Sequence, residues 1–389
     1  MTLSLDDIQF LQSDIGAQYL SLYASADVSE KQTLKLITEL RKSLMLAQAS
    51  AILTTIKLRQ NAVDKFPHFA DQLLFTDDSL QQASDYAIRQ YRAGLFADKS
   101  VLDICCSIGS DALSFADAGC DVVGWDIDPV RIAIARHNAA VLNLSAEFEI
   151  RDVTVGQFKQ SDVVFYDPAR RTTDGNRIFH VEQYIPPLSL VHQFNADTIA
   201  VKLSPAVDLD QLDDYGGQVE FISVNGDLKE AVLWYNRVPT PPIATLIQNN
   251  QIYHLQHEND TYTDIAEPRG WLFEPDPSIL RAGLVETLAQ QLHATRLDET
   301  IAYLTMDERV DTVWGRYWQI LDWMPFNLKK LKRYLVERNV GQVTVKKRGF
   351  PMLPEEVIRK LKLKRGDESR VLVMTRHQGE PIVLICVRS

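Results

Sequence analysis

Residues 101 to 144, VLDICCSIGSDALSFADAGCDVVGWDIDPVRIAIARHNAAVLNL, space small residues and carboxylates as a nucleoside-binding turn would. The small-residue turn from Cys106 to Ser110 lets a ligand approach backbone N–H groups at a helix start. Asp126 follows Gly109 by 17 residues, near the roughly 20 that separate such a turn from a carboxylate accepting two ribose hydroxyls. Asp103 is expected in the same turn, where its charge repels a pyrophosphate and suits a ligand with a cationic end. The elements needed to position these groups are legible around them. Val101 to Ile104 reads as a buried strand, and Asp111 to Ala118 as a helix closed by Gly119. Asp121 to Trp125 forms the next strand, and a helix then starts with Asp128 as its N-cap and Pro129 at its first position.

The dinucleotide fingerprint G-x-G-x-x-G is broken here, since Cys105, Cys106, Ser107 and Gly109 occupy the turn. That disfavours a nicotinamide-dependent oxidoreductase, and the carboxylate at Asp103 favours S-adenosylmethionine, whose amino group is cationic. DICCSIGSDAL followed by VVGWDIDPVRIAIARHNA resembles the cofactor half of class I S-adenosylmethionine methyltransferases, in particular the trimethylguanosine-synthase-like branch. DPARR, VKLSP, LKEAVLW, EPDPSILRAG and VKKRG extend the resemblance, from about residue 40 onward, to bacterial methyltransferases with a C-terminal THUMP-like domain. The resemblance implies cofactor contacts from Asp103, Cys105, Cys106, Ser107, Gly109, Asp126 and its neighbour Ile127. It also implies that Asp152, after a third strand AEFEI, meets the adenine amino group. Ser107 and Ser110 stand where relatives usually carry glycine.

DVVFYDPARR, residues 162 to 171, reads as a fourth strand ending at Asp167-Pro168, and ligands of open α/β sheets bind beyond strand carboxyl ends. Amino-group methyltransferases place Asn, Asp or Ser there, followed by two prolines and an aromatic. By that resemblance, Asp167 and the Pro168 backbone orient a target amine as the catalytic pair. Ala169, Arg170 and Arg171 replace the second proline and the aromatic, so Tyr166, Phe179 or an arginine plane is left to stack on a base. Arg170, Arg171 and Arg177 are candidate phosphate clamps. Lys202, in the fifth strand run TIAVKLSP, reads first as a solvated lysine.

Charge is divided unevenly. Residues 325 to 389 carry 16 Lys and Arg against 6 Asp and Glu, leaving 25 basic and 46 acidic residues for the rest. A tail at +10 on a body at −21 points to a polyanionic partner, with RNA favoured. Lys346, Lys347 and Arg348 are its expected substrate contacts, on a helix, strand, helix, two-strand module that resembles part of a THUMP domain. Aromatics from Tyr303 to Phe326 read as packing first. The expected fold is α/β, a Rossmann-like sheet with an N-terminal helical segment and a small C-terminal α+β domain. The expected boundaries are 1–95 helical, 96–240 methyltransferase, 241–322 connector and 323–389 THUMP-like. Four cysteines without C-x-x-C spacing argue against a metal site. No apolar run reaches the roughly 18 residues of a membrane span, and MTLSLDDIQF lacks the features of a signal peptide, so a cytoplasmic protein is expected. No residue pattern specifies an oligomer.

The reading is a methyltransferase acting on a base nitrogen of RNA. Its rivals are an inactive RNA-binding relic of the same fold and a methyltransferase for protein or small-molecule substrates.

Overall fold

A computed structural model of the chain describes residues 3–172, 174–235, 238–258, 262–364 and 366–388, grouped in two compact units. The first unit comprises 1–219 and 229–240, and the second 220–228 and 241–389.

Helices open the first unit: α1 (Leu5–Leu11), α2 (Asp14–Leu22), α3 (Glu30–Leu40), α4 (Leu46–Asn61), α5 (Asp77–Gln82) and α6 (Tyr86–Phe96). The Thr76 hydroxyl caps α5, as its position before the helix predicts. α4 stops at Asn61, and turns carry the chain on through Phe66-Pro67, where Phe66 is buried. Ile52, Ile56, Leu73 and Phe75 form the bundle core.

The sheet elements follow as β1 (Ser100–Ile104), α7 (Ser110–Asp117), β2 (Asp121–Asp126), α8 (Pro129–Val141), β3 (Ala146–Ile150), β4 (Ser161–Tyr166) and β5 (Ala196–Leu203). β6 (Gln218–Val224) leads through the left-handed pair Asn225-Gly226 into β7 (Asp227–Tyr235). The first unit orders its strands β3-β2-β1-β4-β5-β7, parallel except for β7, which runs antiparallel to β5. This is a Rossmann-like sheet. Its central strands are near-continuous apolar runs because both faces are covered. The chain runs outward from β1 through β2 to β3 and then crosses back to β4 on the other side of β1, which opens a crevice at the carboxyl ends of β1 and β4. α8 is anchored from outside the sheet by Asn138, whose amide takes both the N–H and the C=O of Leu74. The segment 188–193, which follows prolines at 186 and 187, is a 3-10 helix.

In the second unit, β6 pairs with β8 (Ile243–Gln248), and β8 with β9 (Gln251–Leu255). The chain continues through β10 (Trp271–Pro275), α9 (Pro277–Arg281), α10 (Val285–Gln291), β11 (Thr295–Asp298), β12 (Ile301–Met306) and β13 (Gly315–Pro325). α9 and α10 are separated at Gly283, which takes a left-handed φ of 72°. The terminal module is α11 (Leu328–Glu337), β14 (Val340–Lys347), α12 (Pro354–Leu361), β15 (Glu368–His377) and β16 (Glu380–Arg388). Its order is the one its sequence periodicity predicts. Strands β10 to β16 make one seven-stranded sheet, β11-β12-β10-β13-β16-β15-β14. Tyr303, Trp314, Tyr317 and Trp318 are buried in this unit. No helix among the described residues is long and apolar enough to cross a membrane.

Candidate active site

The turn after β1 is built from residues in an unusual backbone state. Cys105 has φ 63°, Ser107 φ 53° and Gly109 φ 77°. Left-handed backbone suits glycine and strains residues with a Cβ by about 1–2 kcal/mol each. Cys105 and Ser107 therefore hold the conformation of a glycine turn without being glycines. Ser110, in contrast, is the first residue of α7, where no glycine is required. Ser107→Gly is expected to raise stability by about 0.5–1 kcal/mol, the relieved strain less the added freedom of the unfolded chain. Urea unfolding reads this directly, and a lower midpoint for the glycine variant would refute the strain argument.

The Ser107 N–H donates to Asp126 Oδ2 at 2.9 Å, and the Asp128 N–H to Asp126 Oδ1 at 2.9 Å. These bonds fix the carboxylate at the end of β2, and each oxygen keeps a lone pair for a ligand. Burial raises the Asp126 pKa above the usual carboxylate range, against the pull of those N–H groups and Arg131. Ile127 follows with its side chain 65% exposed. Asp152 is exposed beyond β3 and accepts from the Thr154 N–H and hydroxyl, which hold its pKa down.

Asp103 lies within β1, not in the turn as expected, and is 1% exposed with neither carboxylate oxygen hydrogen-bonded. Burial pushes its pKa well up, and the charges of Asp111 and Asp167 add to the rise while Arg92 and Lys202 oppose it. A buried carboxyl without a donor is costly unless a partner arrives. A cationic ligand head supplies such a partner, and a diphosphate does not.

Burial raises the Cys105 thiol pKa first, and the charges of Asp126, Asp167 and Asp103 raise it further. Cys106 is buried and likewise raised by burial and by Asp103 and Asp126. Asp167 follows β4, tied by its N–H to the Ile104 carbonyl, and the buried Pro168 comes next. Lys202 is not a solvated lysine. It sits inside β5, 3% exposed, and donates to Asp167 Oδ2 at 2.7 Å and to the Gln82 carbonyl at 3.3 Å. The ammonium thus engages Oδ2 and leaves Oδ1 as the second acceptor of Asp167.

Tyr166, a candidate stacking residue in the sequence, is fully buried and donates its hydroxyl to the Pro186 carbonyl, so it cannot meet a base. Arg170 is half-buried and bonds the Leu203 carbonyl, while Arg171 is exposed. In the second unit Lys346 pairs with Glu274 and lies over the Trp318 ring, and Arg348 lies over Tyr303. Of the Lys346-Lys347-Arg348 run only Lys347 is exposed, because Glu274 and Trp318 cover Lys346 and Arg348 packs on Tyr303.

Sequence reasoning missed a charged cluster beneath the crevice. Arg92 of α6 bridges Asp111 of α7 and Glu230 of β7, and all three are buried. The available signal was a charge at core positions of otherwise apolar patterns, as in Ile88, Arg92 and Phe96 along α6 or Lys202 within TIAVKL. Among the described residues no group of three or more metal-ligating side chains comes together.

Family models match three stretches of the chain. One described as a methyltransferase domain covers 101–169, one described as THUMP domain-like covers 315–388, and a domain of unknown function covers 4–62. An uncharacterized S-adenosylmethionine-dependent methyltransferase of Mycobacterium tuberculosis is 32% identical over 342 residues, spanning 85% of this chain and 93% of the relative. A tRNA (uracil(54)-C(5))-methyltransferase of Pyrococcus abyssi is 27% identical over 33% of this chain and 33% of its own length. A Porphyromonas gingivalis W83 crystal structure assigned to a methyltransferase shares the fold, with TM-score 0.79 over 100% of both chains at 21% identity.

Proposed function

Because this chain belongs to the S-adenosylmethionine-dependent methyltransferases, we propose that it methylates a base nitrogen of RNA bound by its basic C-terminal module. The carrying observation is the meeting of the match to a THUMP-like domain at 315–388 with a charge of +10 on residues 325–389. That module also carries a groove of about 900 Å³ whose lining includes Arg359, Lys362 and Arg370, with Arg370 paired to Glu368. The tRNA specificity of the Pyrococcus abyssi relative points the same way. Within the family, the Cys105–Gly109 turn and the Asp126-Ile127-Asp128-Pro129 strand end favour the trimethylguanosine-synthase-like branch. A cytoplasmic location follows from an RNA substrate.

In this reading Asp126 accepts the ribose hydroxyls, Ile127 covers the adenine ring and Asp152 takes its amino group. The N–H groups of the Cys105–Gly109 turn, with Cys106 and Ser107 between, surround the methionine end, and Asp103 compensates its positive charge. Bound there, the cofactor supplies an electrophilic methyl group on a sulfonium. Asp167 and the Pro168 carbonyl accept hydrogen bonds from the target amine and aim its lone pair along the line of transfer. On transfer the amine would lose its proton towards Asp167 or solvent, which keeps the charge of the methylated nitrogen balanced. Lys202 holds Asp167 Oδ2, so that Oδ1 is the oxygen presented to the amine. Arg170, Arg171 and, in the module, Lys347 attract phosphate. Lys346 and Arg348 contribute field more than contact.

Mass spectrometry of RNA nucleosides from cells with and without the gene tests the substrate. One methylated nucleoside should disappear, and an unchanged profile overturns the RNA reading. Asp167→Asn tests the acceptor site. Lys202 would draw the amide oxygen to itself and turn the NH₂ donor towards the amine, the wrong polarity. Methyl transfer is expected to fall on the order of 100-fold while cofactor affinity stays within about threefold. Full activity in this variant would remove Asp167 from the mechanism.

A further inference from the structure

The loop after Asp167-Pro168 returns on itself as a small hairpin. Ala169 bridges Ile185, Arg171 bridges Arg177, and the Ile178 N–H donates to the Arg170 carbonyl. Its backbone is pinned. Ile178, Val181 and Tyr184 are buried, the Val181 N–H donates to Gln211 Oε1 at 2.9 Å, and Tyr166 holds the Pro186 carbonyl. Phe179 on the returning arm is nevertheless 70% exposed.

Side chains alternate along a strand and directly paired residues share a face. With Ile178 turned inward, Arg171, Arg177 and Phe179 share the outward face. Two arginines directly opposite each other repel, and among the described residues neither has a carboxylate within ion-pair distance. The Arg171 guanidinium donates to the Gly175 carbonyl at 3.1 Å. The arrangement therefore carries an unrelieved positive pair next to an uncovered aromatic ring. Arg171 lies four residues beyond Asp167, no more than about 13 Å along an extended backbone.

We propose that the 169–185 hairpin is the acceptor-nucleotide grip, in which Phe179 stacks on an unpaired base beside Asp167 while Arg171 and Arg177 clamp a flanking phosphate. It rests on the RNA reading above and gives that reading the stacking partner missing after Pro168. A phosphate relieves the arginine repulsion through charge-assisted bonds, and the ring supplies a sequence-tolerant platform. The substrate is then single-stranded or extruded RNA, since a base inside a duplex offers no open face.

The test uses the full chain, labelled cofactor and total RNA from cells lacking the gene. Phe179→Ala should lower kcat/KM for RNA on the order of 10- to 100-fold, and Phe179→Trp should restore most of it. Cofactor affinity measured by calorimetry should be unchanged in both. Arg171→Ala with Arg177→Ala should reduce the salt dependence of RNA binding, by roughly 0.7 in the log–log slope for each phosphate no longer neutralised. Full RNA methylation by Phe179→Ala overturns this proposal and leaves the RNA reading standing. Absence of methyl incorporation into RNA by the wild type overturns both.

Discussion

Asp126→Ala is expected to weaken S-adenosylmethionine binding by roughly 10²- to 10⁴-fold, since two hydroxyl bonds to a charged acceptor contribute about 1.5–3 kcal/mol each. Calorimetry measures it. The same substitution removes the acceptor for the Ser107 and Asp128 N–H groups, so part of the loss is a looser turn. Asp126→Asn separates the two contributions. It keeps the size and one acceptor, and should fall between the wild type and alanine. Asp152→Ala is the exposed control, with an expected loss of no more than about tenfold. Acidification should act in the same direction. The Asp126 pKa is raised by burial, so its proton returns at a higher pH than for an exposed aspartate, and the acceptor is lost sooner as pH falls. Asp103, raised further, must release its proton to meet a cation, so affinity should also climb with pH through its titration. An Asp126→Ala variant that binds as tightly as wild type at every pH would remove the ribose assignment.

The parts of this site that could be read from sequence are those written by local chemistry. The turn, Asp126 and the Asp128-Pro129 helix start lie within a few residues of the elements that hold them, and capping rules alone locate α8. The terminal module was legible for the same reason, with its two helices amphipathic and its last two strands joined by the left-handed Gln378-Gly379 turn. What escaped was non-local. β13 reads as an aromatic packing segment, yet it is a strand because it pairs with β10 and with β16, some sixty residues onward. Lys202 reads as solvated because a lysine ordinarily is, and only the fold brings Asp167 to it across 35 positions. The hairpin after Pro168 is held by isolated bridges and a 3-10 turn, which leave no period-2 pattern to find. Tyr166 was misplaced for a related reason. A strand's last residue points to either face, and here β4 turns it inward.

Arg92→Met is expected to cost about 3–5 kcal/mol of stability, among the largest losses a single substitution can cause in this chain. The side chain is 1% exposed, forks between Asp111 and Glu230, and rests its guanidinium 4.4 Å from the Phe165 ring centre. Its removal leaves two buried carboxylates short of a cation. Asp111 retains Ser84, Arg89 and Lys202 as neighbours, whereas the ion pair of Glu230 is lost. Arg92→Lys should recover only part of the loss, since an ammonium cannot bond two carboxylates on different elements as a planar fork does. Arg92→Met with Glu230→Leu should be less damaging than Arg92→Met alone, because the stranded charge leaves with its partner. The pH dependence gives an independent check. In the wild type burial would raise the Asp111 pKa, but Arg92, Lys202 and Arg89 together hold it below the usual range. Asp111 therefore adds stability above its unfolded pKa and loses it as pH falls. Without Arg92 less of that stabilisation remains to be lost as pH falls. The deficit of Arg92→Met should thus be full near about pH 7 and shrink towards about pH 3, below the unfolded aspartate value, as read by urea unfolding at each pH. Equal deficits at both would mean that Arg92 acts by packing on Phe165, and that the charge cluster under the crevice contributes nothing to holding α6, α7 and β7 together.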